Sequence, residues 1–341
     1  MAAIGIDTHK RTLAACAIGG VGTVLDERTF ANDRAGIGDL AAWAARVASG
    51  ATIGVEGSAS YGAAAARHLV AAGFAVREVP PHLSRRERGR NRRPGKSDPG
   101  DALAIARVTL RETDLPPVRL EDPTTELGLL VEAREDLVHA QTQARNRLHA
   151  HLVVLLPGYT ETAARLVRTP QLDAIERALG PLAGIRAELA RELLAEVRRL
   201  GRRAAEFEQL IANRVAGHPL LGLPGVGSLT AARLIAETGD PARFRSSDAF
   251  AMLAGVAPIP ASSGEVRRMR LNRQGNRQLN RALYTIAQSQ ALHHPPAKAY
   301  VARKRAAGKS RPEALRCLKR QLVRPVFRLI LAGQSTRALA A

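Results

Sequence analysis

The chain is poor in sulfur and in aromatic rings, and it has no long apolar run. Cys16 and Cys317 are its two cysteines in 341 residues, and neither belongs to a Cys-x-x-Cys spacing. That excludes a disulfide framework and a zinc knuckle, and it points to a reducing cytosol. No stretch of about 18 apolar residues occurs, so no segment reads as a membrane-spanning helix. The first residues also lack the basic-then-apolar order of a secretory leader. The expectation is a soluble, cytoplasmic protein. Aromatic residues make up only 3% of the chain against 45% hydrophobic residues overall, so the core must rest on Ala, Leu and Val, a composition that favours helices. Acids are outnumbered too: 31 Asp and Glu stand against 51 Lys and Arg, a formal net charge of +20. Such a surface attracts polyanions and gains affinity by releasing their counterions, which makes nucleic acid the first partner to expect.

The acids that remain fall at telling places. Ile4-Gly5-Ile6-Asp7-Thr8-His9-Lys10 is an apolar run that ends abruptly in a carboxylate, the pattern of a buried strand lifting one acid out of a sheet. With residues 12–18 and 23–30 it predicts a three-stranded meander, and residues 34–48 show helical periodicity through Ile37, Leu40, Trp43 and Val47. A strand over 52–55 delivers Glu56 just before Gly57, repeating the arrangement at Asp7. A helix over 61–72 and a strand over 74–79, closed by Pro80-Pro81, complete the series. Three strands, helix, strand, helix, strand is the order of a ribonuclease H-like α/β domain, and actin-like ATPases and sugar kinases begin the same way. The basic run Arg85-Arg86-Glu87-Arg88-Gly89-Arg90-Asn91-Arg92-Arg93 is too punctuated by Gly and Asn to read as a helix. After it, Lys96-Ser97-Asp98-Pro99-Gly100-Asp101-Ala102 opens an amphipathic helix, with Asp98 and Asp101 on one face.

Each acid taken singly has a plain role. Asp98 before Pro99 is an N-cap, Asp101 complements a helix dipole, Asp7 ends a strand, and Glu56 is a surface acid before a glycine. Taken together, four carboxylates beside a phosphate-attracting surface repel one another unless a hard cation lies among them. Mg²⁺ is the cation that suits such a set, and two such ions can stabilise both the attacking and the leaving oxygen of a phosphodiester.

Residues 125–156 and 182–215 carry apolar residues close to a heptad seam, a stripe too narrow for a globular core, so the two segments should pair with each other or with another subunit. His149 and His151, two apart on a helix, face different ways and do not read as metal ligands. Further on, Leu223-Pro224-Gly225-Val226-Gly227 leads into a helix and reads as a helix-hairpin-helix, whose turn would offer the backbone of Gly225 and Gly227 to a phosphate. The stretch from Ala257-Pro258 to Glu265 reads as an extended loop carrying Ser262-Ser263-Gly264. Arg267, Arg268, Arg270, Arg273 and Arg277 follow it. A hydroxyl beside Gly among guanidiniums is where a phosphate could be bound or attacked, although Ser-Ser-Gly also makes an ordinary surface turn. Gly308-Lys309-Ser310 is not a phosphate-binding P-loop, because Arg303 stands where its first glycine would be.

These residues resemble one family, the insertion-sequence transposases of the IS110 type, also called DEDD transposases. Gly5-Ile6-Asp7-Thr8-His9-Lys10, Val55-Glu56-Gly57 and Lys96-Ser97-Asp98-Pro99-Gly100-Asp101-Ala102 look like the three motifs of its RuvC-like domain. The stretches Leu223 to Gly227, Ala254 to Pro258, Ser262 to Gly264 and Arg273 to Leu279 look like its C-terminal transposase domain. The resemblance implies a RuvC-like domain over 1–115, a long-helix coiled-coil region over 116–216 and an all-α serine domain over 217–341. It implies a recombinase that excises and inserts its own element, with Mg²⁺ on Asp7, Glu56, Asp98 and Asp101, and with Ser263 as nucleophile. It further implies a homo-oligomer in which one subunit's acids meet another's serine domain, and a structured bridge RNA that guides the enzyme to donor and target DNA. Arg85, Arg86, Arg88, Arg90, Arg92, Arg93 and Lys96 are the candidates for holding guide RNA or DNA. Two other readings of the residues stay open at this stage: a junction-resolving nuclease that uses water, and a nucleic-acid-binding protein without chemistry.

Overall fold

Alternation along the first strands builds the centre of the N-terminal unit. The computed structural model describes residues 2–89, 98–118, 122–163, 165–260, 269–270, 272 and 275–338. In it β1 (Ala3–Thr8), β2 (Thr12–Ile18) and β3 (Val24–Ala31) form the expected antiparallel meander. Helix α1 (Arg34–Val47) then leads to β4 (Thr52–Val55), and α2 (Ala63–Ala71) leads to β5 (Ala75–Glu78). The sheet order is β3-β2-β1-β4-β5, with β4 parallel to β1 and β5 parallel to β4, which is the order and polarity of a ribonuclease H-like sheet. Ile4 and Ile6 face one side, into a core with Leu40, Trp43, Ile53 and Leu69 beneath α1 and α2. The alternate residues face the other side, where Ala3, Ala14 and Cys16 pack on Ala102 and Ala106.

Two helices follow, α3 (Pro81–Arg88) and α4 (Asp98–Arg111). The first corrects the sequence expectation, since Arg85 to Arg88 are helical. Pro81 starts the helix with its φ already set, and Ser84 and Glu87 bury one face. Arg111 Nη1 meets Glu87 Oε2 at 2.6 Å, so α3 is fastened to α4. That partner and Glu112 hold the Arg111 guanidinium above its ordinary pKa.

Contacts divide the chain into Met1–Leu120 and Glu121–Ala341. The second unit opens with α5 (Pro123–Leu155), capped by Asp122, whose carboxylate accepts from Thr124 N and Thr125 N at 2.9 and 2.8 Å. Short α6 (Thr160–Ala163) and α7 (Thr169–Leu179) fill the stretch between the two long helices, and α8 (Ile185–Val215) returns along α5. Leu148, Leu152, Leu172, Ile175 and Leu194 close a core at one end of this pair. Its other end, Leu127, Val131, Ile211 and Val215, is buried with the C-terminal helices. Those are α9 (Ser228–Thr238), α10 (Ser247–Leu253), α11 (Arg277–His293), α12 (Pro295–Ala306) and α13 (Arg311–Ala338), with a short ribbon of β6 (Ile259–Pro260) and β7 (Met269–Arg270) after α10. Gly308, at φ +83°, ends α12, and Ser310 with Glu313 caps α13, so Gly308-Lys309-Ser310 is a helix junction.

At Gly5 the backbone of a strand lies directly against the backbone of a helix. A Cβ built there would lie 2.2 Å from Ala106 N and 2.3 Å from Ala102 O, so only glycine lets α4 lie on β1. Gly5→Ala should therefore destabilise the first unit by about 1–3 kcal/mol through overpacking. Gly38→Ala, where a Cβ meets nothing within 4 Å, should stabilise it by up to about 1 kcal/mol. Urea unfolding followed by the fluorescence of Trp43, the single tryptophan, reads both.

Candidate active site

The parallel pairing of β1 and β4 sets Ile6 opposite Val55, and Glu56 N donates to Ile6 O at 3.2 Å. Asp7 and Glu56 thus leave neighbouring strands at the same level. Side chains alternate along a strand, so Asp7 shares the α4 side of the sheet with Gly5 two residues before it. Gly54 faces the same way, with the position of a Cβ 1.8 Å from Thr109 Oγ1 on α4. Thr8 Oγ1 donates to Glu56 O at 2.8 Å, and Gly57 adopts φ +78°, which fixes the turn that carries Glu56.

On the facing helix, Asp101 precedes Ala102 and is 4% exposed; Asp7 is 8% exposed, with its Oδ2 3.1 Å from His9 Nε2. Between sheet and helix stands Arg88 of α3. Its Nη1 lies 3.4 Å from Asp101 Oδ1 and 3.8 Å from Glu56 Oε2, so one guanidinium spans acids from two elements. Glu56 Oε2 is buried and, among the described residues, receives no hydrogen bond. Asp98 starts α4 one turn before Asp101, but its side chain lies outside the described residues. Among the described residues, no three His, Cys, Asp or Glu side chains are gathered closely enough to hold a metal ion.

The structure adds an acid that sequence reasoning missed. Glu78, in register with Val55 at the end of β5, accepts from Ser58 N at 3.2 Å and from Ser58 Oγ. Burial raises its pKa above the ordinary carboxylate value; hydrogen bonds from the Ser58 and Gly57 backbone work against the rise, and the charge of Glu56 adds to it. The signal was present in the sequence, since a strand closed by Pro80-Pro81 also ended in an acid.

The basic candidates divide. Arg85 and Arg86 are exposed on α3, whereas Arg88 is turned onto the acids. Gly225 has φ +83° and packs against Ser289 of α11, and Gln290 Nε2 donates to Pro224 O at 2.7 Å. Gly227 is exposed at the N-terminus of α9 with open space before it. Ile259 pairs with Arg270 and Pro260 with Met269, so β6 and β7 bracket residues 261–268 in the sequence. Arg270 is exposed, and so is Arg277 at the start of α11, where Asn276 Oδ1 caps Gln278 N and Leu279 N at 2.9 Å. Arg90, Arg92, Arg93, Lys96, Ser262, Ser263, Arg267, Arg268 and Arg273 lie outside the described residues.

A family profile for DEDD transposases of IS110 type matches residues 4–157, and one described as the IS116/IS110/IS902 transposase family matches residues 217–302. The chain belongs to the IS110 family of transposases. Among its relatives is the insertion element IS900 uncharacterized 42 kDa protein of Mycobacterium paratuberculosis, 27% identical over 96% of this chain and 94% of that protein. Another is the transposase for insertion sequence element IS1328 of Yersinia enterocolitica, 28% identical over 65% of this chain and 66% of that protein. Among solved structures, T. thermophilus RuvC in complex with a Holliday junction substrate aligns with 17% identity and a TM-score of 0.28, over 34% of this chain and 99% of that one. The fold assignment rests on strand order and polarity. Membership makes the chain a DNA transposase, and the first matched segment contains Asp7, Glu56, Asp98 and Asp101.

Glu78 gives this transposase a pH-dependent stability. A carboxyl whose pKa is raised on folding contributes stability that is fully present below its unfolded value of 4.5 and is lost as pH rises through the folded value. Glu78→Gln removes that loss while its carbonyl can still accept from Ser58. The variant should unfold at higher urea than the parent at neutral pH, with the gap closing below about pH 4.5. Trp43 fluorescence against urea at a series of pH values tests this, and a gap independent of pH would contradict it.

Proposed function

We propose that this transposase cuts and rejoins DNA by transesterification on Ser263, with Mg²⁺ held by Asp7, Glu56, Asp98 and Asp101. The observation that supports this best is the meeting of Glu56 and Asp101 across one guanidinium, with Asp7 leaving the neighbouring strand at the level of Glu56. Acids from sheet and helix that are held by a cation form a donor set of hard oxygens, the kind Mg²⁺ takes. When bound, the ion would lower the charge on the phosphate and stabilise the leaving oxygen. The Ser263 hydroxyl attacks phosphorus, a bond from Oγ to phosphorus forms, and the bond to one DNA oxygen breaks, that oxygen leaving with a proton as a hydroxyl. The phosphoserine link conserves the phosphodiester for rejoining.

In the same reading, residues 1–115 are the RuvC-like half and 217–341 the serine half. Helices α5 and α8 form a coiled-coil region over 116–216 that serves a homo-oligomer whose subunits complete one another's sites. A bridge RNA pairs with donor and target DNA. Arg85, Arg86, Arg90, Arg92, Arg93 and Lys96 hold nucleic-acid backbone, and so do the turn at Gly225 and Gly227 and the arginines Arg267, Arg268, Arg270, Arg273 and Arg277. The turn acts as a helix-hairpin-helix, through its backbone amides. The enzyme works in the bacterial cytoplasm, at the nucleoid.

Arg88 is the internal counter-ion of the acid set until Mg²⁺ takes that place. Ser263→Ala should abolish the covalent protein–DNA adduct on a denaturing gel, while Ser262→Ala retains it. Free ends and normal cutting by Ser263→Ala would put water in the serine's place. Arg88→Gln removes the competing cation and should tighten Mn²⁺ binding to the nucleic-acid-free protein by about tenfold, the equivalent of about 1.4 kcal/mol. Calorimetry reads this without any DNA cleavage, and an unchanged Kd would show that Arg88 does not compete.

A further inference from the structure

The second unit holds a cation-walled cavity that the sequence reading did not single out. It encloses about 590 Å³ between α12, α13 and the turn at Gly255, beside β7. Six charged side chains on its wall are cationic, Arg270, Lys304, Lys309, Arg316, Lys319 and Arg320, and one, Glu313, is acidic. Glu313 is committed to capping α13 through Ser310 N and Oγ at 2.9 and 2.7 Å. Arg320 is paired with Asp248 at 2.7 Å. Arg316 Nη2 lies 3.9 Å from Glu313 Oε1, a long and exposed pair that solvent screens, so the remaining cations set the potential inside.

Lys319 is the deepest of them. It is 8% exposed, and its Nζ donates to Asn280 Oδ1 at 2.7 Å and lies 5.6 Å from the centre of the Tyr284 ring. Both partners are neutral, and burial and the nearby Arg316 push its pKa down. Among the described residues this ammonium meets no carboxylate, and a buried ammonium so placed carries a desolvation cost that an anion in the cavity would offset. Asn280 cannot turn away, because its Nδ2 donates to Ala254 O and Gly255 O at 3.0 Å. The lysine also borders a second cavity of about 490 Å³ that includes Arg277, Arg281 and Tyr284. A trough of cations thus runs past one fixed, buried lysine.

We propose that this trough is a binding site for the sugar-phosphate backbone of a nucleic-acid strand, with a backbone phosphate seated between Lys319, Arg316 and Lys309. It rests on the reading of the chain as a nucleic-acid enzyme and adds a site to it. A polyanion fits better than a small metabolite. The two cavities share Gly255, Asn272, Asn280 and Lys319, and among the described residues no carboxylate but Glu313 lines either of them. The wall also offers a native reporter. Cys317 lines the cavity and is half-buried, whereas Cys16 is buried beside Glu27 with its pKa pushed up to about 12, which keeps it unreactive.

The test uses the full chain with two fluorescent probes, dT12 and rU12, whose binding is followed by anisotropy over a range of salt. The double substitution Lys309→Gln with Arg316→Gln, both at accessible positions, should weaken binding of at least one probe by about tenfold. It should also lower the salt slope by about one to two. The probe affected identifies the strand as DNA or RNA. Lys319→Met should do the same, provided that its circular dichroism melt matches the parent. The control pair Arg186→Gln with Arg202→Gln on α8 removes the same charge elsewhere and should change neither quantity. Saturating probe should slow iodoacetamide labelling of Cys317 several-fold. Equal losses in the control pair, or unaltered slopes with Cys317 labelled at its free rate, would overturn the trough as a site. Failure of the parent protein to bind either probe would instead overturn the nucleic-acid reading, and the trough with it.

Discussion

The first unit depends on how closely α4 lies on β1. Gly5, with Ala102 and Ala106 on the helix, lets backbone approach backbone. Small residues at helix spacing of four, opposite a glycine in a strand, leave no side-chain layer between the two elements. Asp101 is one residue from that contact, and Asp7 is two residues from Gly5 on the same side of the strand. The distance between sheet acid and helix acid is therefore set by rigid backbone, which is a better device than two flexible side chains reaching across a core. One strand over, Gly54 makes room for the Thr109 side chain of α4.

Much of this was legible in the residues, because the signals are local. An apolar run ending in an acid marks a strand end whatever else surrounds it, so Asp7 and Glu56 stand where the pattern puts them. Strand order and helix placement in the first unit follow from the same periodicities. What was not legible depended on partners distant in sequence. Arg88 sits in a run that looks like a phosphate-binding loop. Pro81 and the pair of Glu87 with Arg111 hold its first residues, Arg85 to Arg88, in a helix that aims Arg88 inward. Lys319 is one more cation in a basic tail until Asn280 and Tyr284 of α11 close over it. The stretch between the long helices has weak periodicity, yet Leu172, Ile175 and Leu179 find a core against α8.

The two units meet the same electrostatic problem with opposite signs. In the first, carboxylates stand at the carboxyl ends of two interior strands and on the facing helix, and the chain supplies Arg88 as counter-charge to Glu56 and Asp101. In the second, cations are gathered near Lys319; Asp248 pairs with Arg320 and Glu313 caps α13, but among the described residues Lys319 itself meets only the neutral Asn280 and Tyr284. A buried charge that keeps an internal partner is satisfied before any ligand arrives, and a ligand must then displace that partner to gain affinity. A buried charge left with neutral partners has its cost unrelieved, and a ligand of opposite sign relieves it on arrival.

That asymmetry has a consequence for the order of events on the enzyme. Cations that still lack a counter-charge attract a polyanion at long range and hold it without prior rearrangement, since potential over a positive surface extends to about a Debye length. The acid set cannot act in this way, because Arg88 must first leave Glu56 and Asp101. On the proposed reading, a phosphate near α3 would offer that guanidinium a new partner, and its departure would free two carboxylates for a divalent cation. Nucleic acid would then bind first, and the proposed metal site would be completed second. On that reading the enzyme would be kept from assembling a competent site in the absence of its substrate, at the cost of one guanidinium that must move.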